Sequence, residues 1–463
     1  MIELVQKMKF INFKEHETLA APSSLSNQIK LAIESEQCSH DLVNNQQDND
    51  RALEIAQAVE DLHVIIKSSN ISTPAQTSLL KTLANTAVAG TYLDASEFIP
   101  SLESMNDQTA LVSSLLDRVG MILNSYVHGI SGTFFNLSKY VKTNLALIRE
   151  NAAIIDSFFK KFPKPDKVED DIARTVIFDA DDQLFMVTPV GVVNTYGDLL
   201  NWFRNTRKAC KQTMDVTMIV NSRLLDSIRQ IIPSSDIDTA DKLYNQAMTS
   251  NKNLAQNITE MWQTTVGKSE LKPCGGYEGN DAFESAGLLG NKKYVLSVKR
   301  INLQPGAKLS VQEQSEYIRS FSFKMETKQN EEVFEEQLKL SGVTNAGVCL
   351  LILEIKNFIV DLERYAVWCQ TTADMVSSQA TGDVVNINKY FKTSGSEKLT
   401  QQEADQLRAV VQSHILDIQS TIKTMITTSC GPIAYCNELL NAMIMVINKM
   451  PEETPVGSYS LQK

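Results

Sequence analysis

Apolar and polar positions along this chain alternate with a period of three to four residues over most of its length, the mark of amphipathic helices. From Asp50 to Ser68 the apolar residues fall at Ala52, Ile55, Ala56, Val59, Leu62 and Ile66, a single helical stripe. A second helix opens at Thr73-Pro74-Ala75-Gln76, where threonine caps, proline takes the first helical position and glutamine the third. Its stripe is Leu79, Leu80, Leu83, Ala84, Ala87 and Val88, and the two segments together predict an α-hairpin. Residues 1–48 are polar and weakly patterned, and read as a loose arm.

Residues 94–106 (DASEFIPSLESMN) break the periodicity and hold Pro100. Beyond them Asn106 or Asp107 caps a helix striped by Leu111, Leu115, Val119, Ile122 and Tyr126, interrupted at Gly129 and Gly132. Helical character resumes over Thr133–Phe162 and stops at Pro163-Lys164-Pro165. Thr175–Phe178 and Leu184–Val187 read as two strands of a hairpin around Asp179–Asp182. Long helices are expected over Tyr196–Ile232, Asp238–Val266 and Val343–Ser378, the last followed by a polar connection over Gln379–Lys398. Residues 268–330 carry clustered glycines and a strand-like Tyr294–Val298. Thr400-Gln401-Gln402-Glu403 is a second capping box, opening a helix striped by Leu407, Val411, Ile418, Ile422 and Met425. Gly431-Pro432 is expected to end it, with a last helix running to about Met450. The fold expected is mainly α: an amphipathic helical hairpin leader followed by a helical bundle with a small α+β insertion. Its segments are 1–103, an acidic arm and hairpin; 104–165, an amphipathic helical stretch; 166–330, mixed α+β; and 331–463, a C-terminal helical bundle.

Composition narrows the function. With 43% hydrophobic and 21% charged residues among 463, the chain reads as globular, and 19 glycines with 12 prolines suit long helices. A net charge of −11 leaves no basic surplus for general binding to a phosphate backbone. The acid is concentrated: residues 1–103 hold 7 Lys/Arg and 14 Asp/Glu, a net −7. Seven cysteines without any CxxC pair suit a reducing compartment, and five histidines without ligand spacing predict no metal and no cofactor. Lys7 and Lys9 precede no secretory pattern, and the apolar run Val348–Leu353 ends at Glu354, so no membrane span is expected.

Candidate chemistry weighs little against plainer readings. Val176–Phe178 followed by Asp179-Ala180-Asp181 superficially resembles the first motif of haloacid-dehalogenase-type phosphotransferases, but Gln183 departs from that pattern and no βαβ repeat follows. The glycine cluster 275–290 reads as a flexible surface loop and not as a phosphate loop, because Gly287-Leu288-Leu289-Gly290-Asn291-Lys292 lacks the required spacing. His414 has no nucleophile or carboxylate assignable to it, and nothing ties Asp179 to Glu354 as an acid–base pair. The aromatics of Thr133–Phe162, interleaved with Lys139, Lys142, Lys160 and Lys161, read as core first and as a membrane-surface or pore-forming face second.

The order of segments over 45–165 resembles the internal head, or inner-body, virion proteins of very large tailed bacteriophages. The residues that carry the resemblance are the hairpin Asp50–Leu93, the tetrapeptide Ser101-Leu102-Glu103-Ser104, and the helical stretch Asn106–Phe162 with Phe158-Phe159-Lys160-Lys161. Leu288–Lys292 before a strand is similar too, more faintly. The resemblance implies a propeptide, cut by a prohead protease after glutamate with a small residue two positions before it. Ala32-Ile33-Glu34-Ser35, Ala52-Leu53-Glu54, Ala58-Val59-Glu60 and Ala282-Phe283-Glu284-Ser285 carry the same pattern. Accessibility ranks Glu103 first, between helices, with Glu34 in the arm and Glu284 in the glycine-rich stretch as secondary sites. The resemblance also implies a structural protein without catalysis, inside the capsid in the virion and in the host cytoplasm during assembly. Its partners would be other capsid or inner-body proteins and the protease, with packaged DNA a neighbour by proximity only. A head-stored effector that binds a host protein after injection, and a helical pore-former, are the alternatives.

Overall fold

A computed structural model describes residues 22–68, 108–161, 173–179, 184–231, 269–300, 319–327, 337–382 and 400–450, with Ser78, Thr82, Asn85, Thr249, Val266, Glu313, Glu316 and Tyr317 as isolated positions. The described protein is mainly helical. Five long helices are α1 (Pro22–Ser68), α2 (Gln108–Lys161), α3 (Tyr196–Ile231), α4 (Asn345–Gly382) and α5 (Gln401–Asn448). The strands are β1 (Arg174–Asp179), β2 (Val187–Thr188), β3 (Gly191–Val192), β4 (Lys272–Pro273), β5 (Asn280–Glu284), β6 (Lys292–Lys299), β7 (Ser322–Thr327) and β8 (Gln337–Val343). The expected second arm of the leader hairpin, the segment 94–106 and the expected helix 238–266 lie outside the described residues, apart from the isolated positions.

Helix starts follow local chemistry. Thr195 Oγ1 accepts from the Asp198 amide and donates to the Asp198 carboxylate, closing the first turn of α3. Thr344 caps α4 in the same way through the Gly347 amide. Helices α2, α4 and α5 pack on one another, α3 packs on α4 and α5, and α1 lies along α2. The buried cluster runs through all of them, with Phe134, Ile148, Phe203, Ile355, Leu439 and Met443 fully buried.

Four sequence expectations are corrected. Residues 22–48 belong to α1, not to a loose arm, because the helix docks along a face that is polar and so carries no apolar stripe. Gly129 and Gly132 do not interrupt α2; a side chain at Gly129 would come within 2.5 Å of Asn49 Oδ1, so the glycine makes room for α1. The strand at 174–179 pairs not with 184–187 but with β8, antiparallel, Val176 opposite Leu340 and Phe178 opposite Leu338. Leu184–Met186 is a 3-10 turn instead. This distant pairing joins the third and fourth of the expected segments.

The fourth correction is at Gly431-Pro432, which sits inside α5 and does not end it. Proline lacks the N–H that would bond the carbonyl four residues back. Tyr365 of α4 supplies the missing donor, its hydroxyl bonding the Thr428 carbonyl at 2.6 Å. Gly431 admits the ring of Phe323, which would lie 3.1 Å from a Cβ there.

Strands β4–β7 form an antiparallel four-stranded sheet in sequence order, and β7 packs on α5. Tyr294 of β6 stacks on Phe323 at 5.6 Å and meets Tyr435 of α5 edge-on at 5.9 Å, tying sheet to helix. Leu416–Asn448 is apolar and long enough to cross a membrane by composition, but 61% of its most apolar window is buried within the protein, as in a core helix.

Candidate functional site

The first-ranked cleavage residues Ser101, Leu102, Glu103 and Ser104 lie outside the described residues. The two secondary ones do not. Glu34 is helical, on the outward side of α1 and 4.0 Å from Lys30. A protease binds its substrate extended, so cutting there requires α1 to unwind first. Glu284 closes β5, an inner strand: it faces Lys272 of β4 and Val295 of β6 and pairs with Lys293 at 2.6 Å. Ser285 next to it is buried, its amide on the Tyr294 carbonyl and its hydroxyl accepting from the Tyr294 amide. The reachability expected of Glu284 is therefore corrected, because the scissile peptide is held by strands on both sides.

The other chemistry-bearing candidates are occupied structurally. The glycine cluster expected as a flexible surface loop over 275–290 is corrected at its C-terminal end, where Leu288 and Leu289 are fully buried. The amides of Gly290 and Asn291 both bond the Val187 carbonyl, and the Leu289 amide bonds Thr206, which leaves none of the three for a phosphate. Lys292 faces Glu438 at 3.3 Å between the rings of Phe185 and Tyr435. Asp179 ends a strand in a two-stranded antiparallel sheet, whereas the phosphotransferase pattern needs a parallel one. Glu354 is bound to Arg204 and Arg207 of α3. His414 lies on α5, its side chain outside the described set. Phe134, Tyr140 and Phe158 of the aromatic stretch are buried, and Phe135 is exposed. Among the described residues no three His, Cys, Asp or Glu side chains gather as a metal site.

Two surfaces are informative. The first is the junction of α1 with α2. Gln28 bonds Asn151, Ser35 accepts from Asn144 at 2.9 Å, and Asn49 donates to Thr133 at 2.8 Å. As α1 advances, its partners on α2 recede, so the helices run antiparallel. Behind them α5 completes the layers: Asn437 donates to Asn144 at 2.8 Å and Asn151 to Asn441 at 3.2 Å. Gln419 of α5 also reaches Asp50. Asn144, Asn151 and Thr133 are buried in this seam. The seam was missed in the sequence because its residues are amides and hydroxyls, which an apolar stripe does not register. Their spacing does: Gln28, Ser35, Leu42, Asn49 and Ala56 stand seven apart.

The second surface is the outward face of α4, where Leu350, Leu353, Val360 and Val367 are exposed in one helical row. Ion pairs flank it on both sides. Toward α3 these are Glu354 with Arg204 and Arg207, Asp361 with Arg207 and Lys211, and Arg364 with Asp215. Toward α2 they are Lys356 with Asp156 and Glu363 with Arg149.

Comparison with protein-family models, with curated proteins and with solved structures finds no match for this chain.

Proposed function

We propose that this chain is a structural protein of the head interior of a large tailed phage, without catalysis of its own, whose acidic leader is removed by a prohead protease after Glu103. The architecture this reading assumes is a helical hairpin leader, a helical bundle and a small α+β insertion. One observation carries it. Among the described residues, the buried apolar cluster draws only Cys38, Leu42, Leu53 and Ala56 from before Glu103, and everything else from Tyr126 onward. Among the described residues, the apolar cluster from Tyr126 onward is continuous without α1, and since burial of apolar area is the main stabilising term the described body keeps that core after the cut.

Charge supports the same division. Loss of residues 1–103 removes −7 of the total −11, easing repulsion from DNA packed alongside. The exposed apolar row on α4, rimmed by ion pairs, has the make-up of a protein contact surface and suits assembly with other head proteins.

Mass spectrometry of the protein taken from mature particles tests the reading through its N-terminus. The chain should begin at Ser104, and Glu103→Gln should keep the leader attached. Recovery of chains that still carry Met1 from wild-type particles rejects it.

A further inference from the structure

The face that α1 turns inward is built like a coiled-coil seam with the wrong residues for tight binding. Gln28, Ser35, Leu42, Asn49 and Ala56 form one row at intervals of seven, and Leu31, Cys38, Asn45 and Ala52 form the companion row. Leu42 and Leu53 are the only large apolar side chains of α1 that are buried, among its described side chains. Its outward face, meanwhile, leaves Ile29, Ile33 and Val43 exposed.

We infer that α1 is a releasable arm: a helix that docks on α2 and α5 in one register through side-chain hydrogen bonds, and leaves the body as a unit. The biological purpose of release rests on the maturation reading above; the physical behaviour of the arm does not.

The polar rows set the register. A polar residue at a seam position fixes alignment at a cost in stability. Sliding α1 by one interval of seven in one direction brings Ser35 to the level of Leu137; sliding it in the other brings Leu42 to the level of Asn144. Either way a polar group comes to face an apolar one, leaving buried donors and acceptors without partners. Gly129 and Gly132 reinforce the alignment, since they receive Asn49 and Asn45.

Release depends on the same residues. When an apolar seam opens, it exposes surface that water does not satisfy. Here the apolar part is small, Cys38, Leu42, Leu53 and Ala56, and the polar groups uncovered beside it are Asn144, Asn151 and Thr133, whose amides and hydroxyl bond water in place of Ser35, Gln28 and Asn49. Asn144 and Asn151 keep their partners Asn437 and Asn441 on α5, so the groove retains its shape without α1.

Hydrogen exchange read by mass spectrometry on the full-length protein tests this. The peptides of α1 should exchange together and more than about tenfold faster than those of α4, as a separate low-stability unit. Gly129→Ala displaces the Asn49 amide from Thr133 and should speed exchange in α1 while leaving α4 unchanged. Asn49→Leu with Thr133→Val, which replaces the bonded pair by an apolar one, should slow it. Exchange of α1 less than about tenfold faster than α4 in the wild-type protein overturns the inference. So does a Gly129→Ala protein in which α1 is no faster. An intact N-terminus in mature particles would reject the maturation reading and leave these results standing.

Discussion

Tyr365 donates its hydroxyl to the carbonyl of Thr428, the group that Pro432 leaves without its helical partner. The same hydroxyl lies 3.0 Å from Thr217, so α3, α4 and α5 meet at this one oxygen. Burial pushes the Tyr365 phenol well above its usual pKa, which keeps it a neutral donor. Tyr365→Phe should therefore cost about 1–3 kcal/mol in urea unfolding, the penalty for an orphaned buried acceptor. In a Pro432→Ala background the restored N–H takes that carbonyl, and the cost of Tyr365→Phe should shrink. Equal costs in both backgrounds would show that the two residues do not share the carbonyl.

Asp417 of α5 is fully buried and meets Arg319 at 2.9 Å. Removing the cation that a buried carboxylate faces costs about 3–5 kcal/mol. Arg319→Met should lower the urea midpoint accordingly, and Asp417→Asn added to it should recover part of the loss. The surface pair Lys299–Glu316 gives the contrast: Glu316→Gln should change stability by less than about 1 kcal/mol.

Thiol reactivity should follow burial. Burial pushes the Cys369 thiol up to about 12, and raises Cys430 and Cys436 as well. Cys274 is half-buried; burial raises its thiol too, followed by the nearby Glu284 carboxylate, with Lys293 opposing. Iodoacetamide at about pH 8 should label Cys274 well before Cys210, Cys369 and Cys436 in the folded protein, and all four in urea.

The sheet face carries a small charge cluster with opposite pH signs. Lys293 is raised, chiefly by its hydrogen bond to Glu284, with burial opposing. Its contribution is complete below the unfolded lysine pKa and is lost as pH climbs through the folded value. At Glu326 burial acts upward, but hydrogen bonds from Lys324 and Tyr277 outweigh it and the pKa is lowered. That contribution is complete above the unfolded glutamate pKa and is lost as pH falls through the folded value. Glu284→Gln should flatten the alkaline limb of the stability curve, and Glu326→Gln the acid limb. Unchanged limbs would show that the cluster does not couple to folding.

Much of the helical layout was legible before any contact was known. The helix starts at Tyr196 and Gln401 and the strand around Tyr294–Val298 follow from caps and periodicity that act within a few residues. Val343–Ser378 likewise predicts most of α4. The strand at 174–179 was legible as a strand but not as a partner, since β8 lies far along the chain and nothing local names it. Glu284 looked reachable because glycines surround it; two neighbouring strands, invisible to a local pattern, close it off. Gly431-Pro432 looked like a stop because proline offers no N–H to the Thr428 carbonyl, and the donor that replaces it, Tyr365, is distant in sequence.

The sequence alone determined most of the helical stretches, the strands at 174–179 and 294–298 and where the acid lies, because backbone preference, capping and amphipathic period are short-range properties. Only the tertiary structure decided what the polar rows mean. Gln28, Ser35 and Asn49 are ordinary surface residues until Asn151, Asn144 and Thr133 stand opposite them. A hydrogen bond needs both partners within about 3 Å, and which groups come that close is fixed by packing across the whole chain.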